Sequence, residues 1–186
     1  MRKENQRIML TKRLLKESLI RLMEEKEIQK ISVSELCRDA GINRVTFYNH
    51  YTSPQDLLQE MERELVSDIH NLIKQKGLNR SPQIKERIEV TCEYLNQNRK
   101  IAKLIFKNNS ADSEFTAELF HIPKIWDEMC QKFAAIYGEE GKELLITFIT
   151  RGSYSVIQKW LLDDMSKTPH EMSEIIKAIY LKGYLE

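Results

Sequence analysis

The sequence is short of the residues that interrupt helices, with 6 glycines and 4 prolines in 186 residues. That scarcity excludes a loop-rich or low-complexity chain. Cysteine is also rare. Cys37, Cys92 and Cys130 are odd in number, far apart and in no CxxC pair, so neither a disulfide framework nor a thiolate zinc site is suggested. The four histidines, His50, His70, His121 and His170, show no HxxxH or HExxH spacing, and no metal is expected. No glycine-rich phosphate loop occurs and no Ser/His/Asp set can be nominated, so no cofactor and no enzyme activity are expected. No apolar run approaches the roughly 20 residues of a membrane span. The polar start Met1-Arg2-Lys3-Glu4-Asn5-Gln6 carries no signal-peptide core, which makes a cytoplasmic chain the expectation.

What the sequence does have is helical periodicity. Hydrophobic residues make up 41% and charged residues 31%, enough for real cores under a polar surface. Alternating β-branched runs and Asn-Gly hairpin signals are missing, which predicts an all-α chain. The near-neutral total hides an asymmetry. Residues 1–52 hold 11 Lys/Arg against 7 Asp/Glu, an excess of four, whereas the remainder holds 18 against 21. A basic head on a mildly acidic body fits a polyanion at one end.

The spacing predicts a first helix over about residues 7–25, with Ile8, Leu15, Leu19 and Leu22 in a stripe and Lys12, Arg13, Lys16, Arg21 and Lys26 between them. Ser32-Val33-Ser34-Glu35 reads as a capping box, the Ser hydroxyl accepting from the third amide and the Glu reaching back. That second helix stops near Ala40, and Gly41 can take the left-handed conformation of a sharp end. Asn43 is a candidate N-cap for a third helix from Arg44 to about Tyr51. Ser53-Pro54-Gln55-Asp56 starts a long helix to about Lys76, striped by Leu57, Leu58, Met61, Leu65, Ile69 and Leu72. Residues 77–82 read as a linker. Further helices are predicted at about 83–96, 99–106, 114–137 (with Pro123 kinking or breaking it), 141–164 and 169–182, with a turn bracketed by Gly138 and Gly141. The resulting organisation is a domain over 1–53, a connecting helix over 54–77 and a helical domain over 78–186.

The most informative stretch is ISVSELCRDAGINRVTFYNHYTSPQDL, residues 31–57. A capped short helix, a turn of three or four residues with a glycine, and a second short helix make a helix-turn-helix. Val33, Leu36 and Phe47 are the predicted buried face, Ile42 plugs the turn, and Ala40 is small where the helices meet. The exposed set is Asn43, Arg44, Thr46, Tyr48, Asn49 and His50, hydrogen-bonding groups without a carboxylate. Such a surface suits phosphates and base edges.

This stretch resembles the DNA-binding domain of the TetR family. The family pattern reads roughly I-S-V-x-x-I-A-x-x-A-G-V-S-x-G-T-F-Y-x-H-F-x-S-K-x-x-L, and Ile31, Ser32, Val33, Ala40, Gly41, Thr46, Phe47, Tyr48, His50, Ser53 and Leu57 match without a gap. The resemblance implies a three-helix N-terminal DNA-binding domain and a C-terminal helical domain for ligand binding and dimerisation. It implies DNA contacts from Ser32, Asn43, Arg44, Val45, Thr46, Tyr48, Asn49 and His50. Thr46 and Tyr48 are implied phosphate contacts, and Arg44 and Asn43 are the candidates for base edges. Two positions depart from the family. Pro54 stands where a phosphate-binding Lys is common, so that contact is missing or comes from a helix-terminal amide. Val45 stands where a small residue or Gly is common, which alters which bases are read.

The C-terminal half resembles the family less specifically, through a glycine eight residues before a tryptophan (Gly152, Trp160) and a capped final helix from Pro169. Leu145, Ile149, Gly152, Val156 and Trp160 form one stripe, and Ile175, Ile176 and Ile179 another. Two such helices from each of two chains would make a four-helix dimer interface, and the alternative is that both stripes serve the chain's own core. Tyr94, Phe106, Phe115, Phe120, Trp126, Met129, Phe133 and Tyr154 are candidates for an effector pocket, or else ordinary core. The implied function is a dimeric regulator of a palindromic double-stranded DNA operator, a repressor released by a small-molecule effector. The alternative is an activator of the same fold switched by a protein partner.

Overall fold

The computed structural model describes residues 2–78, 84–120, 125–163 and 166–182, leaving aside the side chains of 2–4, 84, 125–129 and 180–182. Pro123, the linker positions 79–82 and the side chains of Trp126 and Met129 lie outside the described residues. The described residues form helices and turns, with no strand among them. In chain order the helices are α1 (Arg2–Glu25), α2 (Val33–Ala40), α3 (Arg44–Tyr48), α4 (Pro54–Gln75), α5 (Ile84–Gln97), α6 (Arg99–Asn108), α7 (Glu114–Leu119), α8 (Ile125–Leu162) and α9 (Pro169–Lys182), with a 3-10 turn at Ile28–Lys30. Two compact units divide within α4, at Leu65/Val66.

The first unit is built around Leu15, Leu19, Leu36, Phe47 and Leu57, all fully buried. α1 packs on α2, and α2 on α3. The cap on α2 is half of what its sequence suggests. Ser32 Oγ accepts from the Glu35 amide at 3.2 Å, but the Glu35 carboxylate turns to Lys26 Nζ, just past the end of α1, at 2.5 Å instead of reaching back. An ion pair beyond its own helix outcompetes the local bond because it also ties α2 to the end of α1. Gly41 has φ 66°, and its amide and that of Ile42 bond back to Arg38 and Cys37, which closes α2. α3 ends at Tyr48, three residues before the expected Tyr51, and the last turn tightens as the His50 amide bonds to Phe47 O three residues back.

In the second unit α5 packs chiefly on α9, while α6 and α7 pack on α8. Its core includes Cys92, Leu95, Ile105, Phe106, Tyr154, Ile157 and Leu161. α9 begins with a complete capping box. The Glu171 amide donates to Thr168 Oγ1 at 3.2 Å, and the Thr168 amide donates to the Glu171 carboxylate at 2.8 Å. The expected turn between Gly138 and Gly141 is a kink: α8 continues through both glycines, and only Gly138 leaves helical geometry, at φ 74° and ψ −179°. That conformation is accessible chiefly to glycine. A Cβ on Gly141 would sit 2.4 Å from the Tyr137 Cβ, so the second glycine is required by the bend.

Candidate nucleic-acid interface

α3 spans only Arg44–Tyr48, and its orientation follows from one anchor. Phe47 is fully buried and packs edge-on against Tyr48, ring centroids 5.6 Å apart. At about 100° per residue, an inward Phe47 turns Val45 and Asn49 outward and puts Arg44 and Tyr48 together on one flank. The exposures agree: Arg44 and Asn49 are exposed, Val45 is 69% and Tyr48 53% exposed, and Thr46 and His50 are half-buried. Asn43 is exposed, but its Oδ1 accepts the Val45 amide at 2.8 Å and caps the helix. Only its NH2 is left to donate outward. Ser32 is likewise exposed with its Oγ occupied as the α2 cap. The edge made by Asn43, Arg44, Val45, Tyr48 and Asn49 carries no carboxylate.

The basic residues of α1 do something other than their count suggests. Lys12 Nζ lies 2.8 Å from Glu60 Oε2, and Lys16 Nζ lies 3.0 Å from Glu60 Oε1 and 2.6 Å from Glu64. Arg21 pairs with Asp39 at 2.7 Å, and Lys26 with Glu35. Much of the basic excess therefore fastens α1 to α2 and α4, and Arg44 belongs to none of these pairs. Tyr51 OH joins the cluster by donating to Glu60 Oε1 at 2.8 Å, while Lys12 sits over its ring. Burial alone would raise the Glu60 carboxyl, yet the bonds from Lys12, Tyr51 and Lys16 hold it down at about 2. Burial, with the Glu60 carboxylate beside it, pushes the Tyr51 phenol up. Sequence reasoning missed this cluster. The signal was there as Lys12/Lys16 facing Glu60/Glu64, but only the packing of α1 on α4 reveals it.

Pro54 does not free the start of α4 for an anion. The Asp56 amide donates to Ser53 Oγ at 3.1 Å, and the Asp56 carboxylate accepts from the Thr52 amide at 2.9 Å. Two donors are consumed and a negative charge is placed at that end.

In the second unit the proposed effector-wall residues separate. Phe106 and Tyr154 are buried and stacked at 5.2 Å, with Phe115 edge-on to Phe106 at 5.4 Å. The Tyr154 hydroxyl reaches the Asn109 and Phe106 carbonyls at 2.8 and 3.0 Å, and Gln158 Nε2 donates to Phe106 O at 2.6 Å. These aromatics are core that satisfies the carbonyl end of α6. Tyr94 donates to Asp68 at 2.6 Å, and Phe120 is half-buried. Phe133 lines an open cleft of about 570 Å³ shared with Tyr137, Glu140, Gly141, Leu144, Leu145 and Phe148.

The candidate dimer residues divide in the same way. Leu145, Ile149, Trp160 and Ile176 are buried within the chain itself, and Trp160 Nε1 donates to Lys167 O at 2.7 Å. Ile175 and Ile179 are exposed, and Gly152 and Val156 half-exposed. The outer stripe of α8 runs one residue earlier than expected, through Leu144 and Phe148, which are 65% and 54% exposed. A groove of about 150 Å³ between α8 and α9 is lined by Phe148, Gly152, Ser153, Val156, Ile176 and Ile179. No group of three or more His, Cys, Asp or Glu able to hold a metal occurs among the described residues. Among them, too, no helix is long and apolar enough to cross a membrane.

A capped helix, a left-handed glycine turn and a short second helix with a cationic, carboxylate-free edge define a helix-turn-helix DNA-binding regulator. Residues 17–61 match the family described as bacterial regulatory proteins, tetR family, and residues 83–182 match the transcriptional regulator C-terminal region that accompanies it. The chain belongs to the TetR family of transcriptional regulators. No curated protein sequence matches it. Among solved structures, the fatty acid degradation regulator FadR from Bacillus halodurans is similar at 13% identity, over 95% of this chain and 97% of that one, with a TM-score of 0.58. The dihydroxyacetone kinase operon activator DhaS is similar at 21% identity, over 93% and 95%, with a TM-score of 0.49. The first of these likenesses supports the fold.

Proposed function

We propose that the protein is a homodimeric repressor that binds a palindromic operator through α3 and is released by a small-molecule effector. The observation that carries the DNA-reading part is the outward edge of α3. Arg44 stands exposed beside Tyr48, while Lys12, Lys16, Arg21 and Lys26 are paired with carboxylates. Arg44 would bind guanine in bidentate fashion, discriminating by about 1–3 kcal/mol. Tyr48 and Thr46 would donate to phosphates and set register without reading sequence. Asn43, whose oxygen caps α3, keeps only a donor role through its NH2, and Asn49 and His50 serve the backbone. Ser32, exposed, caps α2.

A second copy would cover the α8–α9 groove. Leu144, Phe148, Ile175 and Ile179 are apolar groups left in water, and nothing lies within 4 Å of a Cβ built on Gly152, so another backbone can approach there. A two-fold dimer would present its two recognition helices to half-sites roughly 34–36 Å apart. The effector would act by binding one spacing better than the other, and the size of the response is set by that difference in affinity. The expected working division is DNA binding over 1–53, a connecting helix over 54–77 and regulation with dimerisation over 78–186, in the cytoplasm.

The test is selection of bound fragments from genomic DNA, followed by gel-shift titration. The reading expects a palindromic site and affinity that falls steeply with salt. Purified protein that enriches no duplex contradicts it. Deleting the gene then decides the sign: target expression rises for a repressor and falls for an activator.

A further inference from the structure

We infer that Val45 reads the 5-methyl group of a thymine, so that each operator half-site contains a thymine next to the base pair read by Arg44. The inference rests on the regulator reading above and adds the identity of a base. Val45 is an apolar side chain in the middle of a polar edge, and it is more exposed than Tyr48 beside it. Its direction is fixed twice. Phe47 is buried, which turns Val45 to the opposite side of α3, and the Val45 amide is held by Asn43 Oδ1 at 2.8 Å. The Asn49 amide closes the same turn onto the Val45 carbonyl at 3.1 Å. A β-branched side chain in a helix keeps essentially one χ1 rotamer, so the two methyl groups are presented as a rigid surface.

The major groove offers such a surface one complement. Guanine and adenine present donors and acceptors there and cytosine a donor beside a bare C5–H, while thymine alone carries a methyl group beside its acceptor. Over a purine, Val45 would cover polar atoms without returning a hydrogen bond, which is unfavourable, and over cytosine it would meet no methyl group. Arg44 is the adjacent residue in the chain, so its guanine and the thymine fall on neighbouring base pairs. Asn43 does not compete for an adenine through both amide atoms, because its oxygen is committed to the cap.

The test uses the full-length protein and the duplex it selects. Each thymine of that duplex is replaced in turn by deoxyuridine, which removes the methyl group and keeps pairing intact. One position per half-site is expected to weaken binding about fourfold, the equivalent of losing about 0.8 kcal/mol of methyl burial. In Val45→Ala the same replacement is expected to have almost no effect, with circular dichroism unchanged because the residue is on the surface. Tolerance of uracil at every position overturns the inference, as does undiminished uracil sensitivity in Val45→Ala. A selected half-site lacking thymine overturns it too. In each of those cases the regulator reading stands. If no duplex is selected at all, that reading falls and takes the inference with it.

Discussion

The first unit, residues 1–65, and the second, residues 66–186, bury their cores by the same helical rules but spend their polar groups differently. In the first, four basic side chains of α1 and its C-terminal end are tied to Asp39, Glu35, Glu60 and Glu64, and the exposed edge of α3 is left with Arg44 and no acid. Charge there ties the helices to one another and leaves Arg44 outside those pairs, on the α3 edge. In the second, Tyr154, Gln158 and Trp160 satisfy carbonyls inside the unit, and an apolar stripe of Leu144, Phe148, Ile175 and Ile179 is exposed on α8 and α9. One surface suits a polyanion, the other a second hydrophobic face.

Replacing the anchor of α3 is expected to break this comparison most strongly. Phe47→Ala removes a fully buried ring and is expected to cost about 3–5 kcal/mol. Hydrogen exchange should rise in peptides from residues 1–65 while protection in the second unit persists, and operator binding should be lost. Equal loss of protection in both units would mean that they do not hold separate cores.

Gly152→Leu is the next largest effect and falls on the other unit. The open space at Gly152 means a leucine fits the isolated chain but obstructs a partner backbone. Sedimentation at micromolar concentration is expected to show a monomer of unchanged helicity. An intact dimer would move the interface away from this groove.

How much of this was legible in the sequence depended on the range of the interactions involved. The first unit carries its information locally. The cap at Ser32, the turn at Gly41, the cap at Asn43 and the inward Phe47 are all set within a few residues, so the helix-turn-helix could be read off. The outward stripe of the second unit could not. Leu145, Ile149, Trp160 and Ile176 have the right spacing for an interface, but periodicity only says that a face is apolar. It does not say whether the chain's own helices or another copy covers it. The same limit made Phe106 and Tyr154 look like a pocket wall. The Glu60 cluster escaped because its bonded partners Lys12 and Glu60 are 48 positions apart in sequence.

That cluster predicts an acid sensitivity confined to the first unit. Glu60 is held at about 2 against an ordinary value of 4.5. A depressed carboxyl stabilises the folded form fully above about pH 4.5, and the contribution is lost as pH falls through about 2. Glu60→Gln is expected to cost about 2 kcal/mol near neutral pH, because Lys12 and Lys16 lose their shared partner. It should also flatten the acid dependence of exchange in residues 1–65. A variant with the slope of the parent protein would mean that Glu60 is not the group responsible.

The smallest expected effect is Tyr154→Phe. It removes the hydroxyl that reaches Asn109 O and should cost about 1–2 kcal/mol in the stability of the second unit. DNA affinity and its response to effector should be unchanged once the protein is folded. A selective loss of effector response at unchanged stability would return Tyr154 to the ligand wall.

The central assignment is tested most directly by titrating wild-type protein and Arg44→Ala against the selected operator, and against the same duplex with the half-site guanine changed. Wild type is expected to prefer the operator by about 1–3 kcal/mol per half-site, and Arg44→Ala to lose that preference while keeping its affinity for unrelated duplex. An equal loss on every sequence would make Arg44 a phosphate contact, and a wild-type protein indifferent to the guanine would contradict the α3 edge as the reader of the operator.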